Sequence, residues 1–231
     1  MAKEANLNVE EMAKTGLNFG HKVSKLHPKM KPYVSGIKNN VHMFDLEKTA
    51  KEFSKALAFI SKIVSEGKTI IFVGTKAQLK ALIKLAAEEC GVPYVTERWL
   101  GGTFTNFETI QKRVNYFKDL ENKKVSGELE KYTKKERLNF DKEIEGLKIK
   151  FEGIKNMTKL PEAVFIFGLD KDITCAREAK RKGIKIVAIV DSNINPDIVD
   201  YPIPANDDAI SAVQYILEKA KETILANKPS K

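Results

Sequence analysis

The chain has 231 residues, 42% of them hydrophobic, which is enough for one α/β domain with an insertion or for two small domains and excludes wholesale disorder. Its 40 Lys and Arg residues outnumber its 31 Asp and Glu residues, and the net charge of +9 fits either a polyanionic partner or a basic protein that has none. Two cysteines outside any C-x-x-C motif exclude a disulfide or zinc framework, and the lack of a long apolar run or a targeting peptide predicts a cytoplasmic protein without a membrane span.

The first predicted elements lie in a segment rich in lysine and histidine. A short helix begins at Asn8 and ends at Gly16, and a stretch punctuated by Gly and Pro follows it. Asn39-Asn40 lies between two short apolar runs, and because Asn tolerates positive φ we expect a β-hairpin there. From Lys14 to Phe44 the chain has six lysines and no Asp or Glu, a pattern typical of phosphate contacts.

The aromatic residues of this basic segment have two interpretations. Phe19, Tyr33 and Phe44 could stack on unpaired bases, or they could anchor the segment on a core. We expect anchoring for most of them, which leaves the lysines as the better indication of RNA binding.

A helix, a buried strand and a second helix are predicted next. Apolar residues between Leu46 and Val64 recur at spacings of three and four, which predicts an amphipathic helix that Gly67 ends. The apolar run at 69–73 predicts a buried strand, followed by a helix over 77–90 and a short strand over 92–95. This alternation, with its continuous apolar strands, indicates the start of a parallel sheet that has helices on both faces.

The segment Arg98 to Asn106 reads R-W-L-G-G-T-F-T-N and follows a predicted strand, where open α/β sheets bind ligands. Paired glycines permit a close approach of the backbone, and a helix start at Thr105 or Asn106 leaves N–H groups that could face an anion. A tight corner with Trp99 as core filler explains the same residues, and both interpretations stay open.

Residues 107–159 predict two long, highly charged helices with a thin apolar seam. Thr133 and Glu136 have the spacing of a capping box, which predicts the start of the second helix. This pattern indicates a helical hairpin inserted into the sheet domain. A solvated arm accounts for most of its charges.

Strand and helix alternation resumes after the insertion. Strands are expected at 163–167 and 184–190, with a helix from Asp172 to Gly183 between them and a final helix from Asn206 to Leu225. The resulting division is an N-terminal basic segment and hairpin at 1–45, an α/β domain at 46–106 and 160–231, and a helical hairpin insertion at 107–159.

The usual catalytic motifs are missing. Val73-Gly74-Thr75-Lys76 has too few glycines for a dinucleotide or phosphate-binding loop, and no G-x-S-x-G motif occurs. We therefore predict no enzyme activity and no cofactor. We assign no metal site because no His pair has helical spacing, although a metal ion on His21 with Asp191, Asp207 or Asp208 stays open.

Several motifs in fixed order resemble the bacterial family of small-subunit ribosomal protein number two. The motifs are F-G-H at 19–21, H-P-K-M-K-P-Y at 27–33, V-H-M-F-D-L-E-K-T at 41–49, F-V-G-T-K at 72–76, R-W-L-G-G-T-F-T-N-F at 98–107, A-I-V-D-S-N at 188–193 and Y-P-I-P-A-N-D-D-A-I at 201–210. The resemblance runs from Gly16 to the final helix.

The resemblance implies a flavodoxin-like, three-layer α/β/α fold with a parallel sheet of about five strands and an inserted α-helical coiled-coil hairpin. It implies a structural constituent of the small ribosomal subunit that binds small-subunit rRNA. It also implies contacts with neighbouring ribosomal proteins, including the large protein number one, which recruits mRNA.

We predict an RNA-binding site that combines the basic segment, the loop at 98–106 and the start of the insertion. Its members are His21, Lys22, Lys25, Lys29, Lys31, Arg98, Gly101, Gly102, Asn106, Lys112 and Arg113.

Two rival functions remain for the same sequence. One is an enzyme that binds a nucleotide or sugar phosphate on the sheet, against which the missing glycine motifs argue. The other is a protein-interaction scaffold that uses the hairpin and the stretch from Ile186 to Glu218, which has no Lys or Arg.

Overall fold

The computed structural model describes residues 7–228, which form a small antiparallel sheet, a five-stranded parallel sheet and the helices that cover it. None of the helices between residues 7 and 228 combines the length and the hydrophobicity that a membrane-spanning segment requires.

The N-terminal segment forms the antiparallel sheet, in which β3 lies between β1 and β2. Asn39 and Asn40 join β2 to β3 with φ values of 50° and 62°, which confirms the predicted hairpin and its left-handed turn. The elements are α1 (Val9–Lys14), β1 (Phe19–Lys22), β2 (Val34–Lys38) and β3 (Val41–Phe44), with 3₁₀ turns at Val23–Lys25 and Pro28–Tyr33.

The five remaining strands form one parallel sheet in the order β5-β4-β6-β7-β8. Numbered within this sheet alone, the order is 2-1-3-4-5, which is the flavodoxin-like arrangement that was predicted. The strands are β4 (Ile70–Val73), β5 (Tyr94–Val95), β6 (Ala163–Ile166), β7 (Lys185–Val190) and β8 (Tyr201–Pro204). The helices around them are α2 (Leu46–Ser65), α3 (Lys80–Cys90), α6 (Ile173–Lys182) and α7 (Ile210–Asn227).

Alternate residues of each buried strand supply the two cores of the three-layer structure. Phe72 and Phe165 point to the face that α2, α3 and α7 cover, whereas Ile71 and Val164 point to the face that α6 covers. Continuous apolar runs are therefore required in the central strands, because both faces of a covered parallel sheet are buried.

The insertion forms two antiparallel helices, α4 (Phe107–Val125) and α5 (Lys134–Phe151). Lys124 reaches Asp141 at 2.6 Å, and Tyr116 donates to Glu143 at 3.0 Å across the pair. Thr133 begins α5 with the predicted reciprocal capping bonds. These contacts confirm the helical hairpin.

Two helix starts differ from the predicted ones. Helix α3 begins at Lys80 and not at residue 77, and α7 begins at Ile210 and not at Asn206. The Asn206 side chain instead accepts the amides of Asp208 and Ala209 in a turn before the helix. The division into three segments remains our proposal, and its first six and last three positions lie outside the described residues.

Candidate nucleic-acid interface

The N-terminal sheet lies against the carboxyl ends of β7 and β8. The His21 amide donates to Ser192 Oγ at 2.8 Å, and the His27 amide donates to the Ser192 carbonyl at 2.8 Å. A Cβ on Gly20 would lie 2.9 Å from Ser192 Oγ, so glycine is needed where β1 approaches the loop after β7. The F-G-H motif therefore fixes the basic segment on the edge of the sheet.

Three predicted RNA contacts form what we call the basic surface, namely Lys22, Lys25 and Lys31. All three are exposed, and none forms an ion pair with another described residue. Lys29 differs because its ammonium group pairs with the Asp197 carboxylate. The basic surface thus presents three uncompensated charges on a folded support.

His21 contacts carboxylates and not the lysines of the basic surface. Its Nδ1 lies 3.1 Å from Asp191 Oδ1, and its Nε2 lies 3.7 Å from Asp208 Oδ2. The hydrogen bond to Asp191 raises the pKa of His21, although partial burial opposes this. These contacts hold the imidazole ring of His21 at the carboxyl edge of the parallel sheet.

The aromatic residues of the basic segment divide between the two interpretations. Phe44 is buried and Tyr33 packs partly against the same core, as expected for anchors. Phe19 is 44% exposed, so it does not anchor the segment. Its ring is free to meet a base or another protein.

The loop at 98–106 is organised by the carboxylate of Glu178 on α6. Its Oε1 accepts the amide of Gly102 at 2.8 Å and the indole N–H of Trp99 at 3.2 Å. Its Oε2 accepts the amides of Phe104 at 3.0 Å and Thr105 at 3.1 Å. The buried Glu178 carboxylate thus accepts the N–H groups of this loop and satisfies their need for hydrogen-bond partners.

The residues of this loop that were predicted to contact RNA differ in their surroundings. Arg98 is exposed without an ion pair among the described residues, and a Cβ added at Gly101 would meet no atom within 4 Å. Gly102 adopts φ 95°, which favours glycine. Asn106 occupies the position before α4 but its side chain accepts from the Thr109 hydroxyl at 2.9 Å and does not cap the helix.

Lys112 and Arg113 lie on the exposed surface of α4, one turn after the loop. No ion pair within the described residues neutralises either of them. They extend the positive surface of Arg98 along the root of the insertion.

The two predicted regions are at different places on the same edge of the sheet. The loop at 98–106 follows β5, whereas the basic segment contacts the loop after β7. Three strand spacings separate β5 from β7, which is about 14 Å. No hydrogen bond or ion pair between described residues joins the two regions, so a partner would have to span them.

The turn after β4 is occupied by internal contacts. Thr75 donates its amide and hydroxyl to Asp172 at 3.0 and 2.9 Å. Lys76 is buried and lies 2.7 Å from both Asp207 Oδ1 and Asp208 Oδ1. Because of these contacts, neither the Thr75 side chain nor the Lys76 side chain faces a phosphate site. Burial raises the pKa of the Asp172 carboxyl group.

Glu178 and Ser192 were missed in the sequence. Glu178 lies on the apolar face of α6 beside Cys175 and Ala179, and an acid on a core-facing stripe marks a buried interaction. The position of Glu178 on this face could therefore have indicated its role from the sequence. Ser192 has no comparable sequence feature, because its role depends on the approach of β1.

The comparisons with known proteins agree over nearly the full length. The family model described as "Ribosomal protein S2" matches residues 12–227. The chain is 44% identical over 220 residues to "Small ribosomal subunit protein uS2" of Idiomarina loihiensis, covering 95% of this chain and 91% of the relative. Proteins of that name from Endomicrobium trichonymphae and Dehalococcoides mccartyi are 42% and 41% identical, covering 97% and 94% of this chain and 92% and 89% of the relatives.

Proposed function

The chain belongs to the ribosomal protein S2 family, and from this membership we propose that it binds small-subunit rRNA through the basic surface and the loop at 98–106. As a member of that family it is a structural constituent of the small ribosomal subunit, acts in translation and is not an enzyme. It is located in the ribosome.

The observation that carries the proposal is the basic surface itself. Lys22, Lys25 and Lys31 are exposed and have no ion pair among the described residues, while Lys29 beside them is neutralised by Asp197. Uncompensated lysines held by a folded sheet bind phosphates with little loss of backbone freedom, because the segment is already ordered.

The loop at 98–106 and the start of α4 extend the proposed interface. Arg98, Lys112 and Arg113 are exposed cations at the other end of the sheet edge. The bonds to Glu178 keep the Gly101-Gly102 turn in one conformation. An RNA backbone that bridges about 14 Å would contact both regions.

The internal contacts argue against the rival nucleotide-binding function. Lys76 is the cation that follows the first strand of the parallel sheet, and it is held by Asp207 and Asp208. A phosphate would have to displace two carboxylates to reach it. Ligand-dependent melting with common nucleotides should therefore show no shift.

The acidic stretch from Ile186 to Glu218 gives limited support to the protein-scaffold function. Several of its carboxylates are used within the chain, in the ion pairs Lys29–Asp197, Lys185–Asp200, Lys76–Asp207 and Lys76–Asp208. The exposed apolar side chains of Val125, Leu138 and Ile149 on the hairpin are a better surface for neighbouring proteins.

We extend the proposal to those neighbours, including the large mRNA-recruiting protein number one that the family resemblance implies. If rRNA is the principal anchor, RNase treatment of small subunits should release the chain and should also abolish its association with neighbouring proteins. Retention of those proteins after complete RNA digestion, measured by affinity capture, would favour the scaffold function.

The direct test reverses the charge of the basic surface. Lys22→Glu, Lys25→Glu and Lys31→Glu together replace three attractive phosphate contacts with repulsive ones. We expect the triple variant to be lost from small subunits in sucrose-gradient sedimentation at physiological salt, while its circular dichroism spectrum stays that of the wild type.

A matched control carries the same change of charge on the opposite edge of the sheet. Lys62, Lys180 and Lys182 are exposed near the ends of α2 and α6, and none has an ion pair among the described residues. The control variant with all three changed to Glu should incorporate normally. Equal loss of both variants would show that net charge and not the basic surface decides binding.

A further inference from the structure

Helix α5 has apolar side chains on two opposite faces. One face packs into the core that α5 shares with α4, and its residues recur at spacings of four, three and four: Phe140, Ile144, Leu147 and Phe151. Leu138 and Ile149 lie on the other face and are 54% and 61% exposed. They are about 16 Å apart along the helix, so they do not cover each other.

The exposed face of α5 has the residue spacing of a coiled-coil seam. Leu138, Lys142, Glu145 and Ile149 follow one another at intervals of four, three and four residues. All four are exposed, and neither Lys142 nor Glu145 forms an ion pair with another described residue. We call these four residues the outer stripe. The helix therefore has a second packing surface opposite its core face.

The outer stripe is complementary to an antiparallel copy of itself. If two such helices pair about a two-fold axis midway between Lys142 and Glu145, Leu138 of each helix meets Ile149 of the other. In the same arrangement Lys142 of each helix meets Glu145 of the other. A parallel pairing would place lysine against lysine and glutamate against glutamate, and this repulsion disfavours it.

The residues that flank the outer stripe fit the same two-fold axis. Lys135 and Glu152 continue the seam by one step at each end, have the same midpoint and carry opposite charges. Gly146 lies beside the axis, and a Cβ added there would meet no atom within 4 Å. Glycine weakens a helix interior, but it lets a second backbone approach closely. The open space at Gly146 is therefore where a paired helix would come nearest.

We propose that the free chain forms a homodimer in which the outer stripes of two α5 helices pair antiparallel. The seam from Lys135 to Glu152 has two lysines and two glutamates, and this balance suits a second copy better than the phosphates of RNA. Helices that pair over about 25 Å bury less than the roughly 1,200 Å² of a stable interface, so we expect a dissociation constant on the order of 0.1 mM. The pairing uses none of the residues proposed to bind rRNA.

Sedimentation equilibrium of the untagged, full-length chain tests the homodimer after nuclease treatment has removed RNA. We expect the wild type to show a monomer–dimer equilibrium at concentrations up to about 1 mM. Lys142→Glu places like charges in both central layers and should weaken dimerisation at least about tenfold. Lys150→Glu is the matched control, because Lys150 is exposed on the same helix, outside the seam, and has no ion pair among the described residues. It should dimerise as the wild type does.

Charge exchange distinguishes a specific pairing from an effect of net charge or of folding. Glu145→Lys alone should weaken the dimer as Lys142→Glu does. The double variant that combines both changes should dimerise like the wild type, because each charge again meets its opposite. A mixture of the two single variants should form a heterodimer. Circular dichroism spectra of all variants should match the wild type, since both positions are exposed.

The apolar layers are tested by replacing Leu138 and Ile149 together with Ala, which should also weaken dimerisation because their contacts across the axis are lost. Four results would each overturn the proposal. They are a wild type that stays monomeric at about 1 mM, a dimer that disappears after nuclease treatment, a double charge variant that dimerises no better than the single variants, and unchanged dimerisation of the double alanine variant.

Discussion

At the scale of single residues, the loop at 98–106 depends on Glu178. Four N–H donors converge on its two oxygens, from Trp99, Gly102, Phe104 and Thr105. Burial raises the pKa of Glu178, but the backbone N–H groups and the indole outweigh burial and lower the pKa below its usual range. The ionised carboxylate therefore stabilises the fold.

Replacing Glu178 by Gln should cost roughly 2 kcal/mol of unfolding free energy, because the amide NH₂ faces N–H donors that it cannot satisfy. Chemical denaturation at neutral pH measures this loss. Glu145→Gln, at an exposed position of α5, should change stability little.

The same substitution predicts a pH dependence with a definite sign. Since the folded-state pKa of Glu178 is lowered, its contribution is fully present above the unfolded pKa of about 4.3 and is lost as pH falls through the folded value. The stability difference between wild type and Glu178→Gln should therefore shrink in acid. A difference that is constant across this range would show that Glu178 acts through packing alone.

Residue roles were only partly predictable from the sequence. The absence of Asp and Glu from Lys14 to Phe44 identified the exposed lysines in the sequence. The ion pair of Lys29 with Asp197 could not be predicted in this way, because Asp197 lies on a loop more than 160 positions along the chain. His21, which was predicted to contact RNA, lies beside two carboxylates that the sequence did not associate with RNA binding. Pairings of this kind depend on the tertiary fold, which no local pattern encodes. The predicted RNA contacts themselves remain predictions.

At the scale of elements, local sequence was most informative where a short motif sets the backbone. Asn39-Asn40 predicted a hairpin, and Thr133 with Glu136 predicted the start of α5. The predicted start of α3 was wrong because distant carboxylates hold Thr75 and Lys76, and these contacts keep the turn after β4 out of the helix. Tertiary contacts thus overrode helix propensity at that boundary.

The hairpin turn gives an element-scale prediction. Asn40 has φ 62°, a conformation that costs a residue with an ordinary Cβ roughly 1 kcal/mol. Asn40→Ala should therefore lower the unfolding free energy by about that amount, while Asn40→Gly should not lower it. Equal destabilisation by both substitutions, measured by denaturant titration, would indicate that the Asn side chain and not the backbone conformation matters.

At the scale of the whole molecule, the structure presents cations along one edge of the parallel sheet while many acids pair internally. Strand alternation was enough to predict the three layers, because apolar runs on both faces require helices on each side. The antiparallel sheet on the edge was not placed by the sequence, since its position depends on the contact of Gly20 with Ser192. The proposed RNA binding depends on that placement, because the antiparallel sheet carries the exposed lysines.

Salt dependence of binding to small-subunit rRNA is the most direct test of the proposed interface. The logarithm of the binding constant should fall linearly with the logarithm of salt concentration, by about 0.7 to 0.9 per phosphate contact. The triple variant of Lys22, Lys25 and Lys31 should have a slope shallower by about 2 to 3, since three contacts are removed. The control variant of Lys62, Lys180 and Lys182 should keep the wild-type slope. Wild-type binding that is indifferent to salt, or identical slopes for the two variants, would contradict the account.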